Sequence, residues 1–163
     1  MKRIIQFINH VSMEPTLRLF WSSMATSLIW AILFALTLLI VYTHQYPALI
    51  ETVMSIGLIW GMHQLVGYTW FHPRPFVEDA QIHPSITPAR FSKSFPSDHA
   101  AISSVMATTV AIWFTPVASW FIVAAALVSA GRVIVGVHRM SDVIVGGFGG
   151  MMATLAVHQL LLL

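Results

Sequence analysis

Arg132, His138 and Asp142 stand in an Arg-x5-His-x3-Asp spacing. If a helix begins near His138, the histidine and the aspartate share one of its faces. The carboxylate can then hold one ring N–H and leave the other nitrogen free to attack, the arrangement of an activated nucleophile with its orienting group. An i,i+4 histidine–aspartate match is also what a plain surface pair looks like. A second stretch, Phe95-Pro96-Ser97-Asp98-His99, opens an apolar run. A helix starting there points unpaired N–H groups and the positive end of its dipole at an anion. Ser97 adds a hydroxyl donor, and His99 is a general acid suited to neutral pH. Ordinary helix capping accounts for Ser97 and Asp98 but leaves His99 unexplained. The third stretch is Phe71-His72-Pro73-Arg74-Pro75-Phe76. A guanidinium held between prolines grips phosphate oxygens in pairs; the same residue at a membrane edge also serves to reach the headgroups.

The elements that must position these residues are membrane helices. Of 163 residues, 57% are hydrophobic and 9% charged, against roughly 25% charged in soluble domains. A mean hydropathy of +0.79 in so short a chain exceeds what one soluble core can hide. The apolar runs predict an all-α polytopic bundle of five spans: Leu19 to Tyr42, about Pro47 to Phe71, Ser97 to Phe114, Val117 to Val137, and Ser141 to Leu163. Thr115-Pro116 divides what would otherwise be one overlong run. Pro73, Pro75, Pro84, Pro88 and Pro96 make residues 72–96 a polar loop outside the hydrocarbon. Residues near the N-terminus (Lys2, Arg3, Ile4, Ile5, Phe7, Ile8, Val11) read as an interfacial amphipathic helix, or a frayed tail, rather than a cleavable leader. The chain is one domain, residues 1–163, with its chemistry-bearing motifs inside 67–142. Gly146 and Gly150 have the GxxxG spacing by which helices pack closely, within the bundle or across a homodimer.

Alternating spans bring Lys2, Arg3, Arg18, Arg74, Arg90, Lys93, Arg132 and Arg139 to one side, together with Asp98, His99, His138 and Asp142. The opposite turns carry no Lys, Arg, Asp or Glu. Such a one-sided polar cluster marks a functional site. Thiol chemistry is excluded, since there is no cysteine. The eight histidines form no HExxH or comparable ligand spacing, so no metal is expected. His10, His44, His63, His83 and His158 read as interfacial or packing residues, with His72 undecided.

Taken in order, Gly67-x6-Arg74-Pro75, Pro96-Ser97-Asp98-His99 and Gly131-Arg132-x5-His138-x3-Asp142 resemble the signature of the type-2 phosphatidic acid phosphatase superfamily: Lys-x6-Arg-Pro, Pro-Ser-x-His and Ser-Arg-x5-His-x3-Asp. The resemblance covers about residues 50 to 155. Phe-x-Pro-Arg-Pro-Phe at 71–76, Ser-Phe-Pro-Ser-Asp-His at 94–99 and Val-Gly-Val-His at 135–138 look most like the bacitracin-resistance type of undecaprenyl-diphosphate phosphatase. Two positions depart from the signature. Gly67 stands where the superfamily has lysine, and Gly131 where it has serine.

The resemblance implies a metal- and cofactor-independent lipid phosphatase. In it His138 forms a phosphohistidine, Asp142 orients His138, and His99 protonates the leaving oxygen. Arg74, Arg132, Ser97 and the backbone at Asp98 hold the phosphate, and Lys93, or else Arg90, stands in for the missing lysine. Its partners are a lipid phosphate or diphosphate and the surrounding membrane lipid, with no nucleic acid. Within the superfamily, phosphatidate, phosphatidylglycerol phosphate and phosphotransfer are alternatives. The soluble vanadate-binding haloperoxidases are excluded by composition. A small transporter or scaffold is the non-enzymatic alternative, although its charges would line a central path. The positive-inside rule puts the basic face in the cytoplasm. The resemblance puts it on the periplasmic or outer side of the plasma membrane, and cations that bind substrate are poor markers of topology.

Overall fold

The computed structural model describes residues 14–86 and 93–163. The expected interfacial helix near the N-terminus, with His10, and the loop cation Arg90 lie outside these residues. α1 (Pro15–Thr26) starts on proline, where the missing N–H disrupts nothing. α2 (Leu28–Thr43) follows at once and ends at His44, whose left-handed φ of 57° caps it. α3 (Tyr46–Thr69) again opens on a proline, and α4 (Pro75–Glu78) is a single turn in the proline-rich loop. α5 (Asp98–Trp113) is joined through a 3-10 turn (Thr115–Val117) to α6 (Ala118–Ile134), and α7 (Met140–Leu161) closes the chain. The described residues contain no strand, so the all-α expectation holds.

Two expectations about the spans change. Leu19 to Tyr42 is not one straight helix: α1 and α2 meet at an angle of 45°. Thr26 Oγ1 bonds back to the Ser22 carbonyl at 2.7 Å beside the break, a contact that bends helices. Second, α3, the Thr115–Ile134 segment and α7 are each long and apolar enough to cross a membrane, and the bent pair makes a fourth span if it counts as one. α5, with 16 residues, is shorter than these, yet it runs the length of the bundle, from Asp98 beside His63 at the motif end to Trp113 beside Glu51 at the other.

α5 is the centre of the bundle, packed on α2, α3, α6 and α7. Its buried side includes Ala100, Ala101, Ser103, Val105, Met106, Thr109 and Val110. Small residues let α7 approach to backbone contact. A Cβ at Gly146 would sit 2.5 Å from the Ser97 carbonyl oxygen, and one at Gly150 would run into the Ala101 carbonyl. The GxxxG pair is therefore used inside the bundle, against α5. The outer faces carry Trp30, Phe34, Trp60, Leu65, Trp120 and Phe148, all exposed, as a lipid-facing surface requires.

The bundle is pinned at both ends. At the end away from the histidine–arginine motifs, Glu51 of α3 is fully buried. Its Oε2 accepts from Trp113 Nε1 at 3.1 Å and pairs with His158 Nδ1 at 2.6 Å, joining α3, α5 and α7. His158 is thus a structural partner and not an interfacial residue. At the other end, Gly131 of α6 packs against the backbone of Ala25 in α1, with Ala25 N only 2.8 Å from where a Cβ would stand.

Candidate active site

Arg74 leaves α3 through an extended backbone fixed by the flanking prolines and is 8% exposed. Its Nη1 donates to the Val137 carbonyl at 3.0 Å and lies 3.4 Å from His138 Nε2. Arg132, in the last turn of α6, brings Nη2 to 3.4 Å from the same nitrogen, while its Nη1 donates to the Ala25 carbonyl at 3.2 Å. Two guanidinium groups thus flank one imidazole nitrogen. Burial in this surrounding pushes Arg74 below the ordinary arginine value, against the pull of Asp142 and Asp98.

His138 sits in the tight turn between α6 and α7, made possible by Gly136 at φ 78°. The N–H groups of Val137 and His138 both donate to the Arg132 carbonyl. This fixes the histidine's distance from the arginine. The helix expected to carry both His138 and Asp142 starts only at Met140, so His138 approaches from the preceding turn. Its Nδ1 lies 2.8 Å from the Ser94 carbonyl oxygen and 3.6 Å from Asp142 Oδ2. The nearest acceptor for the ring N–H is therefore a main-chain carbonyl, with the carboxylate behind it. Asp142 in turn is held by the Ser94 hydroxyl at 2.5 Å and the Arg139 N–H at 2.8 Å. A proton on Nδ1 leaves Nε2 with a lone pair aimed between the two arginines. Burial pushes the His138 pKa down, and Arg132 and Arg74 push it the same way, against the raising influence of Asp142. The neutral, nucleophilic ring is the favoured form.

The α5 start closes the site. Ser97 is fully buried, its N–H donates to the Asp142 carbonyl at 3.0 Å, and its Oγ has no partner among the described residues. Arg132 Nε is likewise buried without an acceptor. Unsatisfied buried donors are costly, and both residues belong to the motifs gathered at this end of the bundle. His99 is half-buried in the first turn of α5, within electrostatic reach of His138, Arg132 and Arg74. Asp98 turns its Oδ1 to His63 Nδ1 at 2.8 Å.

Lys93 lies along α3. Its Nζ donates to the His63 carbonyl, and its side chain covers Gly67, where a Cβ would collide with Lys93 Cδ. Burial lowers its pKa, partly offset by Asp98. Gln64, Gly67, Tyr68, Phe71, Arg74, Lys93 and Asp98 line a cavity of about 380 Å³. The structure thus brings His138, His99, Asp142, Arg74, Arg132, Ser97, Asp98 and Lys93 to one end of the bundle. Two further residues had no role assigned from the sequence. Ser94 lies in the quoted 94–99 stretch but acts partly through its carbonyl. His63 read as an interfacial or packing residue, although a histidine inside an apolar span is a signal in its own right. His72 packs edge-on against Trp70, and its Nδ1 is buried without a partner among the described residues. Arg139 ties α7 to the proline-rich loop through the Pro73 carbonyl at 3.0 Å and Glu78 at 2.5 Å. No group of three or more His, Asp or Glu among the described residues converges as metal ligands would.

No curated protein matches the chain. The crystal structure of LpxE from Aquifex aeolicus superposes with a TM-score of 0.82 at 21% identity, over 96% of this chain and 93% of that one. At that identity the likeness establishes the fold. The PAP2 superfamily model matches residues 46–162, a stretch that holds every side chain around His138 Nε2. With the three motifs in order, assembled in space and covered by that match, the chain belongs to the PAP2 superfamily.

Proposed function

We propose that this phosphatase hydrolyses the terminal phosphate of a polyprenyl diphosphate, undecaprenyl diphosphate being the substrate of the enzymes its motifs most resemble. The observation that carries the chemistry is His138 Nε2 between the Arg74 and Arg132 guanidinium groups. In the first step Nε2 attacks the terminal phosphorus in line. The N–P bond forms as the bond to the bridging oxygen breaks, and His99 gives that oxygen its proton. Water then attacks the phosphohistidine, His99 takes a proton from it, and inorganic phosphate leaves. Arg74, Arg132, Ser97 Oγ and the N–H groups at the α5 start stabilise the charge on the equatorial oxygens. Asp142 and the Ser94 carbonyl keep Nδ1 protonated and the ring in place. Tyr68 and Phe71, 87% and 57% exposed at the cavity edge, support a lipid substrate whose chain stays in the membrane. By the same reading the site faces the periplasm or the exterior of the plasma membrane.

The test is turnover by purified protein, with EDTA present, on undecaprenyl diphosphate, phosphatidate and phosphatidylglycerol phosphate. The diphosphate should show the highest kcat/KM. A preference for either glycerolipid would replace the polyprenyl assignment and leave the histidine mechanism standing. Loss of activity to EDTA, restored by a divalent ion, would replace the mechanism.

Lys93 supports the diphosphate assignment. Its side chain occupies the space over Gly67, so a cation reaches the region of the superfamily lysine from the loop. Lys93→Ala should lower kcat/KM for the diphosphate by about tenfold, the size of one charge-assisted hydrogen bond. Gly67→Lys added to that variant should restore part of the loss, because removal of the Lys93 side chain clears the clash at residue 67. Unchanged kcat/KM in Lys93→Ala would show that the two arginines suffice.

A further inference from the structure

Asp98 places a carboxylate at the N-terminus of α5, in the region that the proposed mechanism gives to a phosphate. An anion there competes with substrate for the same donors and cations. What offsets it lies on α3. His63 is 3% exposed, and its Nδ1 lies 2.8 Å from Asp98 Oδ1. The carbonyl of the same residue receives the Lys93 ammonium, which is also the cation that acts on Asp98 electrostatically. One residue of a membrane helix thus holds an acid by its ring and a base by its backbone. His63 stands outside the three motifs, and a structural histidine could have satisfied its ring without reaching the α5 start.

We propose that His63 is a positioning residue for phosphate binding: it ties the Asp98 carboxylate to α3, so that the anion does not compete with substrate phosphate at the α5 N-terminus. The inference rests on the phosphatase reading of the site. Groups facing the pair are Lys93 from the loop, His138 from the α6–α7 turn, and His99, Arg132 and Arg74 around the reacting nitrogen. Without the His63 ring, the freed carboxylate is drawn to these cations and occupies the donors that substrate needs. The loss should therefore fall mainly on binding.

Vanadate, an anion of phosphate shape, is the probe, read beside steady-state kinetics and the unfolding midpoint in detergent. His63→Leu should weaken vanadate binding and raise KM by roughly tenfold, with kcat changed much less. His63→Asn, whose amide can donate from near the Nδ1 position, should stay within about twofold of wild type, on the scale of one hydrogen bond to a charged group. The deciding variant is His63→Leu with Asp98→Asn. Removing the charge makes its holder unnecessary, so vanadate affinity should recover most of the loss. A purely structural His63 gives no such recovery, since Asp98→Asn does not refill or repair the helix contact. Unaltered KM in His63→Leu, or a double variant as weak as the single one, overturns the proposal. If His63→Leu does not accumulate, the double variant and His63→Asn decide, and weak vanadate binding by either overturns it. Wild-type protein that neither binds vanadate nor turns over any phospholipid would instead refute the phosphatase reading.

Discussion

His138→Ala should reduce turnover to the uncatalysed background while leaving the bundle folded. The ring supplies the nitrogen that lies within 3.4 Å of both Arg74 and Arg132. Rapid quenching with labelled substrate should trap a phosphoryl group on the wild-type protein and none on the variant. The unfolding midpoint in detergent should move little, because the turn around His138 is held by its backbone bonds to the Arg132 carbonyl. The wild-type acid limb adds a second reading. Attack needs the neutral ring, and burial with two arginines lowers the His138 pKa, so kcat/KM should hold as pH falls past about 6.5, the ordinary histidine value. Substantial turnover by His138→Ala, or a labelled intermediate on it, would remove His138 as the nucleophile.

Arg132→Ala should cost on the order of 100-fold or more in kcat/KM, the effect of removing one donor to transition-state charge. Arg132 has a second task, since its Nη1 donates to the Ala25 carbonyl. Arg132→Lys separates the two. A lysine restores the charge but not the planar fork, so it should recover binding of the anion better than it recovers kcat. Comparing the unfolding midpoints of both variants shows how much of the loss is structural. An Arg132→Ala enzyme within a few-fold of wild type would mean that phosphate lies elsewhere.

The residues that assemble around His138 were legible in the sequence because the chemistry needs particular side chains at fixed offsets from helix ends. Arg74 between prolines, Ser97 and His99 at a helix start, and Arg132, His138 and Asp142 across a turn all have such offsets. The helices were legible because a membrane span must be long and apolar. What escaped has no such constraint. The acceptor nearest His138 Nδ1 is a backbone carbonyl, which every residue possesses, so nothing marks Ser94 out for it. The His63–Asp98 contact joins residues 35 positions apart, and its pairing exists only once α3 and α5 are packed. The bend between α1 and α2 lies beside a threonine hydroxyl bonded to its own helix, a contact that the apolar pattern does not mark. α5 was legible from its apolar composition, whereas its burial on several sides is a property of the packed bundle.

The contact between Arg132 and Ala25 bears on where this protein's working unit begins. The superfamily model starts at residue 46, downstream of both α1 and α2. Yet a guanidinium facing the reacting nitrogen is steadied by a carbonyl from α1, and Gly131 beside it lets that helix come close. Gly131 is also a position where this chain lacks the superfamily's serine. Where the superfamily has a hydroxyl donor, this chain has the backbone of a neighbouring helix in close contact. A serine at residue 131 would therefore push α1 away and disturb the carbonyl that steadies Arg132.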